Sequence, residues 1–285
     1  MAEIRPFAPE FSDQLLTLFE RFHASRITRP MWEGFLNYSS PRIDLPSGLV
    51  LLAQQRVVGF LGTLYSERRI RGVAEILCNL SSWIVDDAHR ASGIGLLRRA
   101  LHSRDVTITC FSASSRVEAI LRQLGFKDLE DTGCFFSIAH GLTLKVPSVS
   151  IVANREDIGI LLKGECAELF RDHAYPHCRH LYWSCDRGEC YVLYTIRHKR
   201  NVLPYAHIHF VSNRQVFNSS TVALVRLLAR MHTAVGFLVE RRFLEPGHRP
   251  GRFVYPLPLH RLYRSSALLP VDIDNLYTEL PVLGI

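Results

Sequence analysis

The sequence lacks a long apolar run: no stretch approaches the roughly 18 unbroken apolar residues that a membrane-spanning helix needs, so we expect no membrane segment. Charged residues are also scarce, at 21% of the chain, which excludes a disordered or solvating chain. The first residues form no charged-then-apolar leader, which predicts a cytoplasmic protein. Seven cysteines without a C-x-x-C pair predict reduced thiols, no disulfide framework and no metal site.

The chain does contain enough apolar material for a substantial core. Hydrophobic residues make up 47% of its 285 residues. Since a domain takes roughly 150 residues, we expect two domains or one large one. The formal net charge of +7 favours an anionic ligand such as a nucleotide, a phosphate, nucleic acid or a membrane surface. That charge is spread along the chain rather than gathered into long basic blocks.

Apolar spacing predicts alternating strands and helices in both halves of the chain. In the first half we expect strands at residues 4–7, 49–53, 57–65, 74–85, 106–111 and 133–139, and helices at 11–24, 29–38, 93–103 and 115–124. In the second half we expect strands at residues 149–153, 180–185, 190–196, 205–212 and 234–240, and helices at 156–172 and 221–231. The repeated order predicts a duplicated α/β (α+β) architecture. Its expected parts are a first domain at residues 1–143, a linker at 140–150, a second domain at 148–244 and an extended, proline-rich arm at 245–285 that packs on the domains.

One segment carries a chemical motif. Residues 79–85 form an expected strand, and Arg90-Ala91-Ser92-Gly93-Ile94-Gly95 follows it at the start of an expected helix. Backbone N–H groups at a helix N-terminus are unsatisfied and carry partial positive charge, so they form a site for a pyrophosphate. Gly93 and Gly95 let a diphosphate approach the backbone closely, and Arg90 adds a formal charge.

This motif and the elements around it resemble the GNAT superfamily of N-acyltransferases. The Arg90–Gly95 segment matches that family's acyl-CoA pyrophosphate loop, and residues 114–126 resemble the helix that follows it, with its Leu-Gly-Phe ending. The resemblance covers about residues 3–140 and implies a mixed, twisted sheet flanked by helices, which splays near residues 80–85 to admit the pantetheine arm. It implies acetyl-CoA or another acyl-CoA as cofactor, bound by Trp83, Ile84, Val85, Arg90, Ala91, Ser92, Gly93, Ile94, Gly95 and Ser114.

Three residues are candidates for the catalytic step. Attack of an amine on a thioester needs a route for the amine proton and a donor for the oxyanion. Glu75, at the start of the strand that leads to the loop, can act as a base through water, and Asn79 and Ser81 can position that water. The resemblance leaves the acid open. Leu121 stands where many family members have the tyrosine that protonates the departing thiolate, and Ser114 replaces a frequent asparagine.

The second half has the family's order of elements but lacks its loop, since residues 212–218 contain no glycine. It therefore resembles a degenerate second copy, as in tandem-GNAT proteins. His207 and His209 flank Ile208 on one expected strand, so both point to one face and are candidates for binding the acceptor. Residues 197–200, Arg-His-Lys-Arg, form a basic turn that can meet RNA or an acidic substrate.

These observations leave three functions open. The first is transfer of an acetyl or other acyl group from acyl-CoA to an amine of a small molecule, such as an amino sugar or an amino acid. The second uses a charged tRNA as the acyl donor, which the basic turn and the net charge favour and the intact loop disfavours. The third is non-catalytic binding of acyl-CoA by a sensor or scaffold, which Leu121 and the lack of a strand carboxylate favour. The sequence indicates neither the acyl length nor the oligomeric state.

Overall fold

A computed structural model of the chain describes residues 2–22, 27–40, 42–103, 105–139, 149–199, 202–247 and 253–285. The chain forms two compact units. Unit 1 is built from Met1–Leu129, Leu259–Asp272 and Tyr277–Leu283, and unit 2 from Glu130–Pro258, Ile273–Leu276 and Gly284–Ile285. The expected linker at residues 140–150 lies largely outside the described residues, as does Arg200 of the expected basic turn.

Strands and helices are numbered along the chain. The strands are β1 (Ala2–Pro6), β2 (Gly48–Ala53), β3 (Arg56–Ile70), β4 (Val73–Val85), β5 (Val106–Ala113), β6 (Lys127–Asp128), β7 (Thr132–Ser137), β8 (Ser150–Val152), β9 (Cys178–Cys185), β10 (Gly188–Lys199), β11 (Leu203–Val211), β12 (Gly236–Glu240), β13 (Phe253–Pro256) and β14 (His260–Arg264). The helices are α1 (Ser12–Phe22), α2 (Arg29–Leu36), α3 (Arg90–Ala100), α4 (Ser115–Gln123), α5 (Arg155–Leu161), α6 (Gly164–Asp172), α7 (Arg214–His232) and α8 (Glu279–Leu283).

Unit 1 is built on one mixed sheet with the strand order β1-β2-β3-β4-β5-β14-β6. β4 and β5 run parallel, and the other neighbours pair antiparallel. A parallel pair needs a crossover connection, usually a helix, and here α3 supplies it. The ends of β4 and β5 therefore lie side by side, each followed by a helix.

Helices cover both faces of this sheet. On one face, α1 and α2 pack an aromatic cluster against β3, with the ring of Phe19 4.2 Å from that of Trp32 and 5.3 Å from that of Phe60 between centroids. On the other face, Leu97 of α3 and Leu121 of α4 join the buried core. Burying an apolar side chain of this size contributes roughly 1.5–3 kcal/mol, so both helices are fixed firmly to the sheet.

Unit 2 contains a second mixed sheet, with the strand order β13-β7-β12-β11-β10-β9-β8. Its parallel pair is β11 and β12. The long helix α7 packs Phe217 and Leu224 against Phe237 and the rest of this core. The side chain of Asn213 caps α7 by accepting a hydrogen bond from the Val216 N–H, a preferred arrangement at helix N-termini. The expected α/β class, with helices flanking mixed sheets, is confirmed in both units.

Two strands join a different sheet from the one that their place in the chain predicts. β7 follows β6 of unit 1 but pairs with β12 and β13 in unit 2. β14, near the end of the chain, joins the sheet of unit 1 between β5 and β6. The expected boundaries at residues 143, 148 and 244 therefore differ from the two units, because long-range backbone pairing assigns these strands.

Some element ends also differ from the expected ones. The helix expected at residues 11–24 is α1, preceded by a 3₁₀ turn at Pro9–Phe11, and residues 23 and 24 lie outside the described residues. The helix expected at residues 156–172 is divided into α5 and α6. The chain is extended at Leu162, and Gly164 adopts a left-handed φ of 56°, which favours glycine and ends the first helix.

No helix among the described residues is long and apolar enough to cross a membrane. None of the seven cysteines, all of which lie among the described residues, forms a disulfide bond. In the part of the chain that the structure describes, no group of His, Cys, Asp and Glu side chains is arranged to hold a metal ion.

Candidate functional site

The two parallel strands of unit 1 separate at their C-terminal ends. They pair from Ile76 opposite Val106 to Leu80 opposite Cys110, where their ladder ends. β4 then continues to Val85 and β5 to Ala113. The space between residues 81–85 and residues 111–113 is called the β4–β5 gap below. Within it β4 and β5 no longer pair with each other, as insertion of an extended ligand between them requires, and Ser81, Phe111 and Ala113 are buried there.

A bulge in β4 lies beside this gap. Ser81 faces Gly62 of β3 and Ile84 faces Phe60, so Ser82 and Trp83 together oppose a single residue. Ser82 adopts a left-handed φ of 52°, which non-glycine residues rarely do. A bulge bends its strand and increases the local twist, and this one lies where β4 stops pairing with β5.

The turn expected at residues 86–92 is largely helical. A 3₁₀ turn at Asp87–His89 runs directly into α3, which begins at Arg90 rather than at residue 93. The amides of His89 and Arg90 donate to the carbonyls of Asp86 and Asp87. The first-turn amides that lack an intrahelical acceptor are therefore those of Ala91 and Ser92.

The geometry of α3 shows how the three residues at the end of the expected pyrophosphate loop are held. Because α3 already includes Gly93, Ile94 and Gly95, their amides donate within the helix. A Cβ at Gly93 would lie 2.8 Å from Cγ2 of Val85, and one at Gly95 would lie 2.9 Å from Cδ1 of Ile4. Both glycines therefore let the helix pack closely on the sheet, and their contact with a diphosphate stays a prediction.

The other expected cofactor contacts differ in exposure and in their hydrogen-bond partners. Arg90 is exposed and forms a 2.7 Å salt bridge with Asp87, which costs little to break at a surface site. The indole nitrogen of Trp83 is buried and has no hydrogen-bond acceptor among the described residues. Ile84 is buried in the sheet, and Ser114 caps α4 by accepting from the Val117 N–H.

A strip of buried polar side chains lines one face of β4 and β5. Asn79 is 3% exposed and Ser81 is 5% exposed, and Asn79 Nδ2 donates to Thr109 Oγ1 over 3.1 Å. Glu75 lies four residues before Asn79, about 13 Å away along the strand, opposite Arg68 and half-buried. The structure thus brings Asn79 and Ser81 together at the gap and places Glu75 away from them.

Glu279, the first residue of α8, is a site residue that no local sequence pattern indicates. Its side chain is 1% exposed, and its N–H donates to Asn79 Oδ1 over 3.4 Å. Burial raises the pKa of this carboxyl, while the nearby Ser112, Arg261 and Asn79 offset part of the rise. Neither carboxyl oxygen has a hydrogen bond of good geometry among the described residues. Asn79 and Ser112 belong to the two strands that flank the β4–β5 gap, so the carboxyl lies at its closed end.

Unit 2 holds no equivalent gap in its described residues. β11 and β12 pair at Ala206 and His207, and beyond this point Asn275 bridges them: its N–H donates to the His209 carbonyl over 3.3 Å, and its side chain donates to Glu240 over 2.6 Å. Arg242 pairs with the same carboxylate over 2.8 Å. This buried network joins the ends of β11 and β12, whereas the ends of β4 and β5 in unit 1 do not pair with each other.

The histidines expected to bind an acceptor are interior residues of unit 2. His207 is 4% exposed and His209 is fully buried, with their ring centroids 4.5 Å apart. His209 Nε2 lies 2.9 Å from Thr195 Oγ1. In unit 1, Leu121 of α4 is a buried core residue, so that helix presents no ionisable group at the position of the family's tyrosine.

No protein-family model and no curated protein sequence matches the chain. Solved structures do. A GCN5-related N-acetyltransferase from Kribbella flavida is 14% identical with a TM-score of 0.60, covering 93% of this chain and 71% of its own. One from Anabaena variabilis is 12% identical with a TM-score of 0.57, covering 93% and 72%. A tandem GNAT protein from the clavulanic acid biosynthesis pathway is 14% identical with a TM-score of 0.53, covering 94% and 100%. At these identities the likeness concerns the fold, and the chain has the two-domain fold of the tandem GNAT proteins.

Proposed function

We propose that this protein transfers an acyl group from acyl-CoA to an amine of a small molecule. The observation that carries the proposal is the β4–β5 gap, with its bulge at Ser82 and the N-terminus of α3 directly after β4. The acetyltransferases that share this fold support it. Acyl-CoA is a substrate of this reaction and supplies an acyl group activated as a thioester.

The residues around the gap fit such a substrate. The amides of Ala91 and Ser92 and the positive end of the α3 dipole favour a pyrophosphate, and Arg90 can leave Asp87 to add a charge. The buried indole nitrogen of Trp83 supplies a donor with no partner among the described residues. Gly93 and Gly95 let α3 pack closely on the sheet, and contact of Gly93, Ile94 and Gly95 with the substrate stays a prediction.

The acceptor amine is proposed to meet the thioester over the buried polar face of β4. Asn79 and Ser81 lie there with Thr109 and can orient the amine or a water molecule. Glu75, the base expected from the sequence, lies at the far end of the same face. Unit 2 is proposed to hold no second acyl-CoA site, because Glu240 and its partners join the ends of the corresponding strands.

A second candidate function is non-catalytic binding of acyl-CoA. The burial of Leu121 favours it, because α4 then offers no acid to the departing thiolate. Under this hypothesis acetyl-CoA binds, but no amine is acylated. Acyl transfer from a charged tRNA is the third candidate function. The net charge of +7 favours it, and the acyl-CoA loop motif at residues 90–95 disfavours it.

Calorimetric titration of acetyl-CoA into the purified protein tests the proposal. Arg90→Glu places a negative charge at the start of α3, and since a charge-assisted hydrogen bond contributes about 1.5–3 kcal/mol, we expect at least tenfold weaker binding. Arg98→Glu makes the same change at an exposed position in the last turn of α3 and should leave the Kd within about twofold. No binding of acetyl-CoA to the wild-type protein would contradict the proposal, and equal loss in both variants would place the pyrophosphate elsewhere.

A further inference from the structure

We infer that Glu279 is the general base that takes the proton from the acceptor amine. The inference rests on the acyl transfer proposed above and names the residue that performs its proton transfer. It concerns a residue more than 150 positions away in sequence from residues 75–114, which carry the other catalytic candidates and the expected acyl-CoA contacts.

The placement of the Glu279 side chain carries the inference. α8 packs against α2, and its first residue reaches the closed end of the β4–β5 gap, where the backbone N–H of Glu279 contacts Asn79. The side chain is buried by the fold of unit 1 and only 1% exposed, yet neither carboxyl oxygen has a well-formed hydrogen bond among the described residues. The carboxyl is buried beside Ser112, Arg261 and Asn79 without a well-formed hydrogen bond, which is costly for a buried polar group and fits a group that binds a ligand.

The alternative base, Glu75, is less well placed. It lies about 13 Å along β4 from Asn79, beyond the paired part of the β4–β5 ladder, and it is half-buried. A general base has to lie within hydrogen-bond reach of the proton that it takes, directly or through one water. Glu279 lies at the gap where the thioester is proposed to bind, and Glu75 lies about 13 Å from it along β4.

The proposed step balances without a further reactant. The amine nitrogen uses its lone pair to form a bond to the thioester carbonyl carbon, and the carbon–sulfur bond breaks with its electron pair on sulfur. The proton lost by nitrogen moves to a carboxylate oxygen of Glu279. The departing sulfur then receives this proton, so the products are an amide and a free thiol and the carboxylate is regenerated.

The surroundings of Glu279 match this task. Burial raises the pKa of its carboxyl above the ordinary value of 4.5, toward the range in which a carboxylate is an effective base. Cys110 of β5 and Arg261 of β14 are the ionisable groups that face it; burial raises the pKa of the Cys110 thiol to about 12, so this thiol is neutral near pH 7. α2 contributes Arg29 and Glu33, which are both exposed. The pH dependence of transfer should therefore follow Glu279 itself.

The test compares Glu279→Gln, Glu279→Asp and the control Glu33→Gln in the full chain. Thiol release from acetyl-CoA is followed with glucosamine, L-lysine and spermidine as acceptors and with water alone, and acetyl-CoA binding is measured by calorimetry. Glutamine matches the neutral carboxyl in size, so the fold and the acetyl-CoA Kd should be preserved. We expect kcat to fall roughly 100-fold in Glu279→Gln, with partial recovery in Glu279→Asp and no change in Glu33→Gln.

The pH profile separates a base from a structural residue. In the wild-type protein kcat should fall as the pH drops through the raised pKa of Glu279, and this limb should vanish in Glu279→Gln. A kcat within threefold of the wild type with the same limb overturns the inference, and loss of the limb in Glu75→Gln instead assigns the base to Glu75. Acetyl-CoA binding without thiol release from any variant overturns the inference and supports the non-catalytic function. Failure of the wild-type protein to bind acetyl-CoA overturns the proposed function itself.

Discussion

Replacing Gly93 by alanine tests whether this glycine serves helix packing or ligand approach. The new Cβ would lie 2.8 Å from Cγ2 of Val85 and 3.5 Å from its Cβ, so α3 or Val85 has to shift. Overpacking of this kind costs typically about 1–3 kcal/mol, while alanine recovers about 1 kcal/mol of helix propensity. We expect a net loss of about 1 kcal/mol, which lowers Tm by about 2–4 °C in a chain of this size.

Gly34→Ala is the matched control for Gly93→Ala, and Val85→Ala removes the contact that should make Gly93→Ala destabilising. A Cβ added at Gly34 of α2 would meet nothing within 4 Å, so Gly34→Ala should raise stability by up to about 1 kcal/mol. In a Val85→Ala background the contact is gone, and Gly93→Ala should become stabilising by a similar amount, a coupling of about 2 kcal/mol. Urea unfolding followed by circular dichroism measures the wild type and each of these variants. Equal effects at Gly93 and Gly34, or no coupling with Val85, would refute the packing role.

Two further predictions concern buried charges, and one concerns the core. The free energy of unfolding of the wild-type protein should fall as the pH rises from 4.5 through the raised folded-state pKa of Glu279, because the folded state holds that proton more tightly than the unfolded state. Urea unfolding between about pH 4 and pH 8 measures this fall, and Glu279→Gln should lack it. Arg242→Met leaves Glu240 charged and buried without its cation, and thermal unfolding should show a loss of about 3–5 kcal/mol; wild-type stability would contradict this. Leu121→Ala should cost about 2–5 kcal/mol by the same assay, since Leu121 is a core residue, and an unchanged Tm would place its side chain outside the core.

Elements with local signals could be predicted from the sequence. The helix expected at residues 115–124 is α4, which ends at Gln123, because Ser114 caps its start and Gly125 adopts a left-handed φ of 83° just after its end. The hairpin expected around residues 186–189 is β9 and β10, paired from Cys185 and Gly188 onward. Caps, glycines and turn residues act within a few positions, so the sequence displays them directly.

Features that depend on distant partners could not be predicted. Nothing local to Thr132–Ser137 shows that this strand pairs in unit 2, and nothing local to Glu279 shows that its backbone meets Asn79 across 200 residues. The start of α3 differs from the expected one for a related reason. Because a glycine after a polar segment is typical of the end of a turn, the sequence predicts that the helix begins at Gly93. In the structure Gly93 lies inside the helix, where a side chain would collide with Val85 of β4.

Amide hydrogen exchange with and without acetyl-CoA tests whether acyl-CoA binds in the β4–β5 gap of unit 1. Protection should appear in peptides that cover residues 81–95 and 111–114, where the unpaired strand ends and the first turn of α3 lie. Peptides that cover residues 206–213 and 236–240 should be unchanged, because Asn275 already bridges those strands. Protection confined to the second set, or absent from both, would contradict the account.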